Sequence, residues 1–310
     1  MPDRPSLRPI SEEMEDLLGV RHPVLDHGFV ELVDYMGTDH CIVQAARTSY
    51  AKGTRSHRDD RGLIRYLMRK RHTSPFEQAE IKLLVKLPIF VARQWVRTRT
   101  ANVNERSARY SILDREFYVP APEVMCAQST TNKQGREEPI SADMAGTMTR
   151  LMREQAVDAF DLYALLLNDD GSGESVGDVP QLTRELARTV LPLSTYTTWV
   201  WKIDLHNLLH FLSLRFDSHA QHEIRVYAEV ISKMVAAWCP LVWEAFEDYR
   251  LHARTFSRHE LAVLRELLAG VPDVDATLDT MIAARVSAGE LSAREARELR
   301  DALRPEVSDG

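Results

Sequence analysis

Between positions 93 and 111 the chain reads RQWVRTRTANVNERSARYS, which sets Arg93, Arg97, Arg99, Arg106 and Arg109 around Asn102, Asn104, Glu105 and Ser107. The formal net charge is −7, so these guanidinium groups are gathered against the balance of the whole sequence. The stretch contains no lysine. A guanidinium fork matches a phosphate or carboxylate in a bidentate way, whereas an ammonium acts as a point charge. Arg93 and Arg97 stand four apart; on a helix they would share a face and repel by about a few tenths of a kcal/mol, a cost that a bound anion offsets. A solvated arginine face paired with acids elsewhere is the alternative. The interleaved Asn, Ser and Glu supply both donors and acceptors, as a ligand with both needs, and favour an anion site.

Two further groupings carry chemistry. LHNLLHFLSLRFDSHAQHE, residues 205 to 223, reads as one helix with His206 and His210 on one face and Arg215 with His219 on another turn. A histidine pair four apart could hold zinc, with His219 and His222 as further ligands. The HExxH pattern is missing and no cysteine lies nearby, so the expectation is no metal, with polar core or interface roles as the plain alternative. In RHTSPFEQ, residues 71 to 78, Ser74 reads as a helix N-cap with Glu77 at the capping-box position. Such an N-terminus is also a place for a phosphate. Cys41, Cys126 and Cys239 are odd in number and lack CxxC spacing, which reads as reduced cytosolic thiols. None lies in the arginine-rich stretch, so no thiolate nucleophile is expected beside those arginines.

The elements that must position these residues follow from periodicity. GFVELVDYM reads as a strand, and residues 38 to 50 and 60 to 72 as helices. IKLLVKLPIFVARQW alternates and then turns helical, with Pro88 at the change. Residues 127 to 140 read as loop, followed by a long amphipathic helix to about Leu167 and a surface loop at 168 to 178. From Pro180 to Tyr249 the pattern is helical nearly throughout, with a strand around 194 to 203. The organisation expected is an N-terminal arm over 1–24, a catalytic body over 25–250 and an appended helical tail over 251–310, opened by capping boxes at Ser257/Glu260 and Ser292/Glu295. The arm carries acids and prolines where a signal peptide has an apolar run, and no apolar stretch has spanning length, so a cytoplasmic protein is expected. Negative net charge with one basic pocket favours small anions over nucleic acid.

The spacing Arg97-Thr98-Arg99 followed by Ser107 and Arg109 resembles the signature of the flavin-dependent thymidylate synthases. GFVELVDYMG, AARTSY, RHTSPFEQ, KLPIFVARQWVR, EFYVP, ELARTVLPLSTYT and LLHFLSLRFDSHAQHEIR are similar to that family and occur in its order over about residues 25 to 250. Two positions depart: Thr98 stands where the family has His, and Asn102 where it often has Ser.

The resemblance implies an α+β fold of helices around a small central antiparallel sheet, assembled as a homotetramer of dihedral symmetry. It implies FAD-dependent reductive C5-methylation of dUMP to dTMP, with NADPH and methylenetetrahydrofolate as co-substrates; the cofactor carries the redox chemistry and the protein supplies orientation and electrostatics. Methylation of UMP is the alternative substrate reading. A nucleotide sensor that lost turnover and a zinc hydrolase are alternatives from other classes. Carried over residue by residue, the resemblance makes Arg109 the group that polarises the uracil, with Ser107 and His72 as further catalytic positions. Gln94, Arg97, Glu105, Arg106, Ser107, Ala108, Arg109, Arg188 and Arg215 would bind the nucleotide. Ser49, His72, Ser74, Glu77, Arg97, Thr98, Arg99, Asn102, Asp204, His206 and His210 would face FAD.

Overall fold

The structure is a computed structural model that describes residues 8–48, 60–130, 135–217 and 219–303. In chain order its elements are α1 (Glu12–Leu17), β1 (Arg21–Val24), β2 (Gly28–Met36), α2 (Asp39–Thr48), α3 (Asp60–Arg69), β3 (Glu80–Pro88), α4 (Ile89–Trp95), β4 (Asn102–Glu105), β5 (Cys126–Gln128) and β6 (Arg136–Pro139). They continue with α5 (Ala142–Leu167), α6 (Arg184–Ala187), β7 (Tyr196–Asp204), α7 (Leu205–Arg215), α8 (His222–Trp238), α9 (Pro240–Phe246), α10 (Arg258–Ala269), α11 (Val274–Ser287) and α12 (Ala293–Leu303). Contacts divide the chain into residues 1–252 and 253–310.

β3 organises the first unit. EIKLLVKLP buries every second residue, Ile81, Leu83, Val85 and Leu87, the period-two pattern of a strand with one covered face. It pairs antiparallel with β2 on one side and with β7 on the other, running from Glu80 opposite Asp204 to Pro88 opposite Tyr196. The five-stranded sheet has the order β1-β2-β3-β7-β4. Helix α8 closes the inner face with Ile224, Tyr227, Ala228, Ile231, Met234, Val235 and Trp238, an apolar stripe at helical spacing. Tyr227 fixes the docking distance: its hydroxyl donates to the Lys86 carbonyl at 2.7 Å. At Gly28 a Cβ would come within 2.1 Å of that hydroxyl, so strand and helix meet where only glycine fits. Trp95, from α4, packs against Trp199, Trp201, Phe211 and Tyr227 with ring centroids 6.0, 5.2, 4.9 and 5.8 Å away, which ties the helix preceding the arginine-rich loop to β7 and α7.

Several local expectations change. Residues 12 to 24 are built into the body, since Met14 is fully buried and the Ser11 hydroxyl donates to the Ala237 carbonyl at 3.0 Å. Within 127–140, β5 and β6 form a hairpin. Most of its side chains are exposed, so no apolar alternation marks it. Residues 205–223 are two helices, because the Asp217 carboxylate accepts from the His219 backbone N–H at 2.7 Å and the Asp217 carbonyl accepts from Ala220 at 3.0 Å; no Gly or Pro announces that turn. Helix α4 ends at Trp95, leaving Arg97 in the following turn and not on the helix with Arg93. The turn after His72 is a 3-10 segment, Phe76–Gln78, whose N-cap is Pro75 with no side-chain cap, so Ser74 does not cap a helix.

The second unit consists of α10, α11 and α12. Both capping boxes form: Ser257 with Glu260 opens α10, and Ser292 exchanges bonds of 2.8 and 3.2 Å with Glu295 before α12. The Arg300–Asp279 pair at 2.6 Å joins α12 to α11.

Candidate functional site

Three cavities in the first unit gather most of the candidate residues. The first, of about 420 Å³, lies where the end of α3 and the 71–76 turn face α7; that volume is in the range of small-molecule pockets. The strand-to-helix junction at Asp204 builds one wall. Asp204 caps α7 by accepting from the Asn207 backbone at 2.9 Å and from the Asn207 side chain at 2.6 Å. Its carboxylate is thereby committed to the cap, and the next turns present His206 and His210 to the cavity. His72 comes from the opposite wall, its backbone N–H held by the Leu67 carbonyl at 3.0 Å and its ring 5.7 Å from Tyr66. Met68, Phe76, Leu209 and Phe246 give the cavity an apolar floor. Arg71, Asn207, Ser213 and Arg250 also line it and were not singled out in the sequence.

The second cavity, of about 320 Å³, is lined by Glu105, Arg106, Ser107, Ala108 and Arg188 with Thr197 beneath. Its shape follows from β4, an edge strand paired to β7 from Asn102 opposite Lys202 to Glu105 opposite Trp199; the Arg106 N–H extends the pairing to the Thr198 carbonyl at 2.8 Å. Beyond it the chain turns, and the Ser107 hydroxyl accepts from the Arg109 N–H at 3.2 Å. Glu105 accepts from the Thr197 hydroxyl at 2.7 Å. The Arg106 guanidinium is held by Asp114 at 2.6 Å, the Ile112 carbonyl and the Ser111 hydroxyl. Arg109 pairs with Glu185 at 2.9 Å, both half exposed, and Arg188 is exposed beside it.

The third cavity, about 980 Å³, is lined by Gln94, Arg136 and Arg215 among others, and shares Ser213 with the first. The second shares no lining residue with either. Among the described residues, Gln94 Oε1 and Arg215 Nε are buried without a hydrogen-bond partner, and burial pushes the Arg215 guanidinium down from its ordinary value. A partly desolvated guanidinium with an unpaired Nε and an unpaired buried acceptor lining the same cavity each cost free energy unless a ligand completes their bonds.

Arg97, Thr98, Arg99 and Asn102 lie on the turn after α4 and the start of β4, with the Thr98 N–H bound to the Trp95 carbonyl at 2.9 Å. Ser74 and Glu77 are exposed on the 3-10 turn and do not line the His cavity. Ser49 lies outside the described residues. Cys239 is fully buried, and desolvation pushes its thiol well up, away from thiolate chemistry. Among the described residues no three His, Cys, Asp or Glu gather as a metal-ligand set, and no helix is long and apolar enough to cross a membrane.

Residues 31–241 match the family described as thymidylate synthase complementing protein. A flavin-dependent thymidylate synthase from Ruegeria pomeroyi is 51% identical over 299 residues, 96% of this chain and 93% of that one. One from Gluconobacter oxydans is 56% identical over 263 residues, 85% and 84% of the two chains. The Ruegeria coverage extends into residues 251–310, so much of the tail has a counterpart in that relative. Among solved structures, a UMP/dUMP methylase, PolB from Streptomyces cacaoi, bound with 5-Br UMP, superposes with a TM-score of 0.64 at 37% identity, covering 74% of this chain and 98% of that one. The same protein bound with 5-Br dUMP gives 0.63 at 34% identity over 74% and 99%.

Proposed function

The chain belongs to the flavin-dependent thymidylate synthase family, and we propose from that premise how its cavities divide the work. It is a flavin-dependent methyltransferase that converts dUMP to dTMP. In the proposed arrangement the redox cofactor is FAD, NADPH and methylenetetrahydrofolate are the co-substrates, and the protein works in the cytoplasm as a homotetramer.

The residues of the first cavity fit a flavin: an apolar floor for a flat ring system, with His72, His206 and Asn207 offering polar groups around it. Arg97, Thr98, Arg99 and Asn102 would hold its charged end; Ser49, Ser74, Glu77 and His210 would face its uncharged parts, and Asp204 would act through the cap that sets α7. Bound flavin supplies the electrons that reduce the transferred one-carbon unit. The pyrimidine is the task of the arginine-rich loop. Arg109, freed from Glu185, sets its guanidinium against a uracil carbonyl and stabilises the negative charge that develops towards C5. Ser107 orients the ring, and Glu105, Arg106 and Arg188 complete that half of the nucleotide site. Gln94 and Arg215 form the other half, beside the flavin.

What supports this division is the meeting of the His-lined and Arg215 cavities at Ser213 while the cavity lined by Glu105, Ser107 and Arg188, with Arg109 on the turn beyond Ser107, shares no residue with them. One nucleotide touches both halves when a second copy of the chain supplies one of them. Met144, Met148, Leu151 and Met152, exposed on one face of α5, offer an apolar surface for such a neighbour. UMP is the second reading, favoured by the neighbour bound with 5-Br UMP.

The test is product analysis of the yellow, flavin-loaded protein with dUMP and UMP side by side under the same folate and NADPH. Formation of dTMP at the higher turnover efficiency is expected. Preference for UMP would make the second reading correct, and colourless protein that binds uridine nucleotides without turnover would make it a sensor.

A further inference from the structure

The His-lined cavity holds a charge that the uracil chemistry does not use. None of its lining residues is acidic, yet Arg71, Arg250, His72, His206 and His210 all border it. Acids close to Arg250 in the sequence are taken elsewhere: Asp248 pairs with Arg65 at 2.6 Å, and Glu244 pairs with Arg61 and Arg65. Arg250 donates to the Met68 carbonyl at 3.5 Å. Among the described residues, neither Arg71 nor Arg250 has a carboxylate partner. Burial, and then the charge of Arg71, push the Arg250 guanidinium down from its ordinary value, as expected of two like charges at one rim. Arg71 also sits at φ 59°, a left-handed conformation that costs a non-glycine residue of order 1 kcal/mol and that glycine adopts freely.

We propose that Arg71 and Arg250 form a clamp for the glutamyl carboxylates of the folate co-substrate at the rim of this cavity. The inference rests on the methylase reading above and adds to it the recognition of the one-carbon donor. With the flavin on the apolar floor, the two-arginine rim is left for a dianionic appendage, which matches a reduced folate, whose single glutamate carries two carboxylates. The nucleotide phosphate has its own arginines in the other two cavities, and the pyrophosphate of the flavin has Arg97 and Arg99. Guanidinium and carboxylate pair in bidentate fashion.

The experiment uses the full-length, flavin-loaded protein and its Arg71→Gln, Arg250→Gln and double variants. 5-Formyltetrahydrofolate, in monoglutamyl and triglutamyl forms, is titrated calorimetrically alongside 6-methyltetrahydropterin, which has no tail. Each substitution is expected to weaken monoglutamyl folate by about tenfold, the size of one lost charge-assisted hydrogen bond. The tailless pterin should bind wild type and variants equally, and flavin content and the dUMP KM should be unchanged. Arg71→Lys and Arg250→Lys are expected to restore part of the loss. Unchanged folate affinity in the double variant overturns the clamp. So does loss of flavin, which assigns the arginines to the cofactor, or a selective loss of NADPH over NADH, which assigns them to a phosphate. Wild type that methylates while its variants bind folate normally sinks only the clamp; wild type without methylation sinks the functional reading itself.

Discussion

Arg215 and Arg109 are both assigned to the same nucleotide, and the molecule treats them in opposite ways. Arg215 sits at the end of α7, partly desolvated, with Nε buried and unpaired, and lines the same cavity as Gln94, whose Oε1 is also unpaired. Arg109 sits on an exposed turn, already paired with Glu185, and the loop is further tied by Arg184 donating to the Tyr110 carbonyl at 3.0 Å. The first arrangement is pre-organised: its cost is met in folding, and ligand binding relieves it. The second is exchangeable, because an exposed ion pair is worth at most about 1 kcal/mol and is given up readily for a better partner. If both proposed assignments hold, the difference separates anchoring from chemistry. A rigid buried cation suits a group bound alike in ground and transition states, while a releasable one suits charge that appears only during reaction.

Arg109→Ala should have the largest effect, lowering turnover by about 10² to 10³, the size of one lost oxyanion-type donor, with flavin absorbance retained. Equal turnover would break the assignment of chemistry to the exposed loop. Arg215→Gln should weaken uracil nucleotide binding by about 10- to 100-fold, as removal of a charge-assisted bond does. The thermal midpoint of the ligand-free protein should hold or rise, since a desolvated cation is replaced by a neutral group. A lower midpoint with unchanged nucleotide affinity would show that Arg215 supports the fold and not the ligand. Glu185→Gln sharpens the contrast from the other side. Freed from its partner, Arg109 should lower the nucleotide KM by about two- to threefold, the scale of an exposed pair; a higher KM would mean that Glu185 positions Arg109.

The smallest effect lies outside both sites and calibrates them. Glu244 is held below the usual carboxylate range, first by the hydrogen bond from Arg61, then, against the opposing effect of burial, by the charges of Arg61 and Arg65. A carboxylate depressed in the folded state contributes stability that is fully present above its unfolded value, about 4.3, and is lost as pH falls through the folded value. Urea melts should therefore show wild type slightly more stable than Arg61→Ala at pH 7, with the gap closing below about pH 4. A constant gap would remove Glu244 as its source.

Much of the sheet was legible because its physics is local. The alternation of residues 80 to 88 and the proline that ends it specify β3 and the turn into α4, and the motif order specified the family. The β5–β6 hairpin escaped because its side chains stay in solvent, and the α7–α8 break because a single aspartate makes it through backbone bonds. In the candidate site, His72, His206 and His210 were recognised through motif resemblance and do line one cavity. Arg250 was not, since only the packing of α9 beside α3 brings the chain beyond Phe246 to that rim, nor was Arg71, which precedes His72 in the same stretch but shows its cavity only in the fold. Asp204 shows the limit of reading type alone: it lies at the mouth of the helix that carries two of those histidines, but its oxygens are spent on Asn207.

The aromatic stack beneath the arginine loop gives the molecule an optical property. Trp199 and Trp201 lie within 6.0 Å of the Trp95 ring and form one buried group with it, and Phe211, which stacks on Trp95 at 4.9 Å, follows His210 directly in the chain. Indole emission overlaps the near-ultraviolet absorption of an oxidised isoalloxazine, so an acceptor seated against His210 should drain the excited state of this group. Titrating flavin into the stripped protein should dim its intrinsic fluorescence in proportion to loading, and Trp201→Phe should shrink the dimming more than replacement of the half-buried Trp243. Undiminished emission at saturating flavin would place the bound ring away from α7.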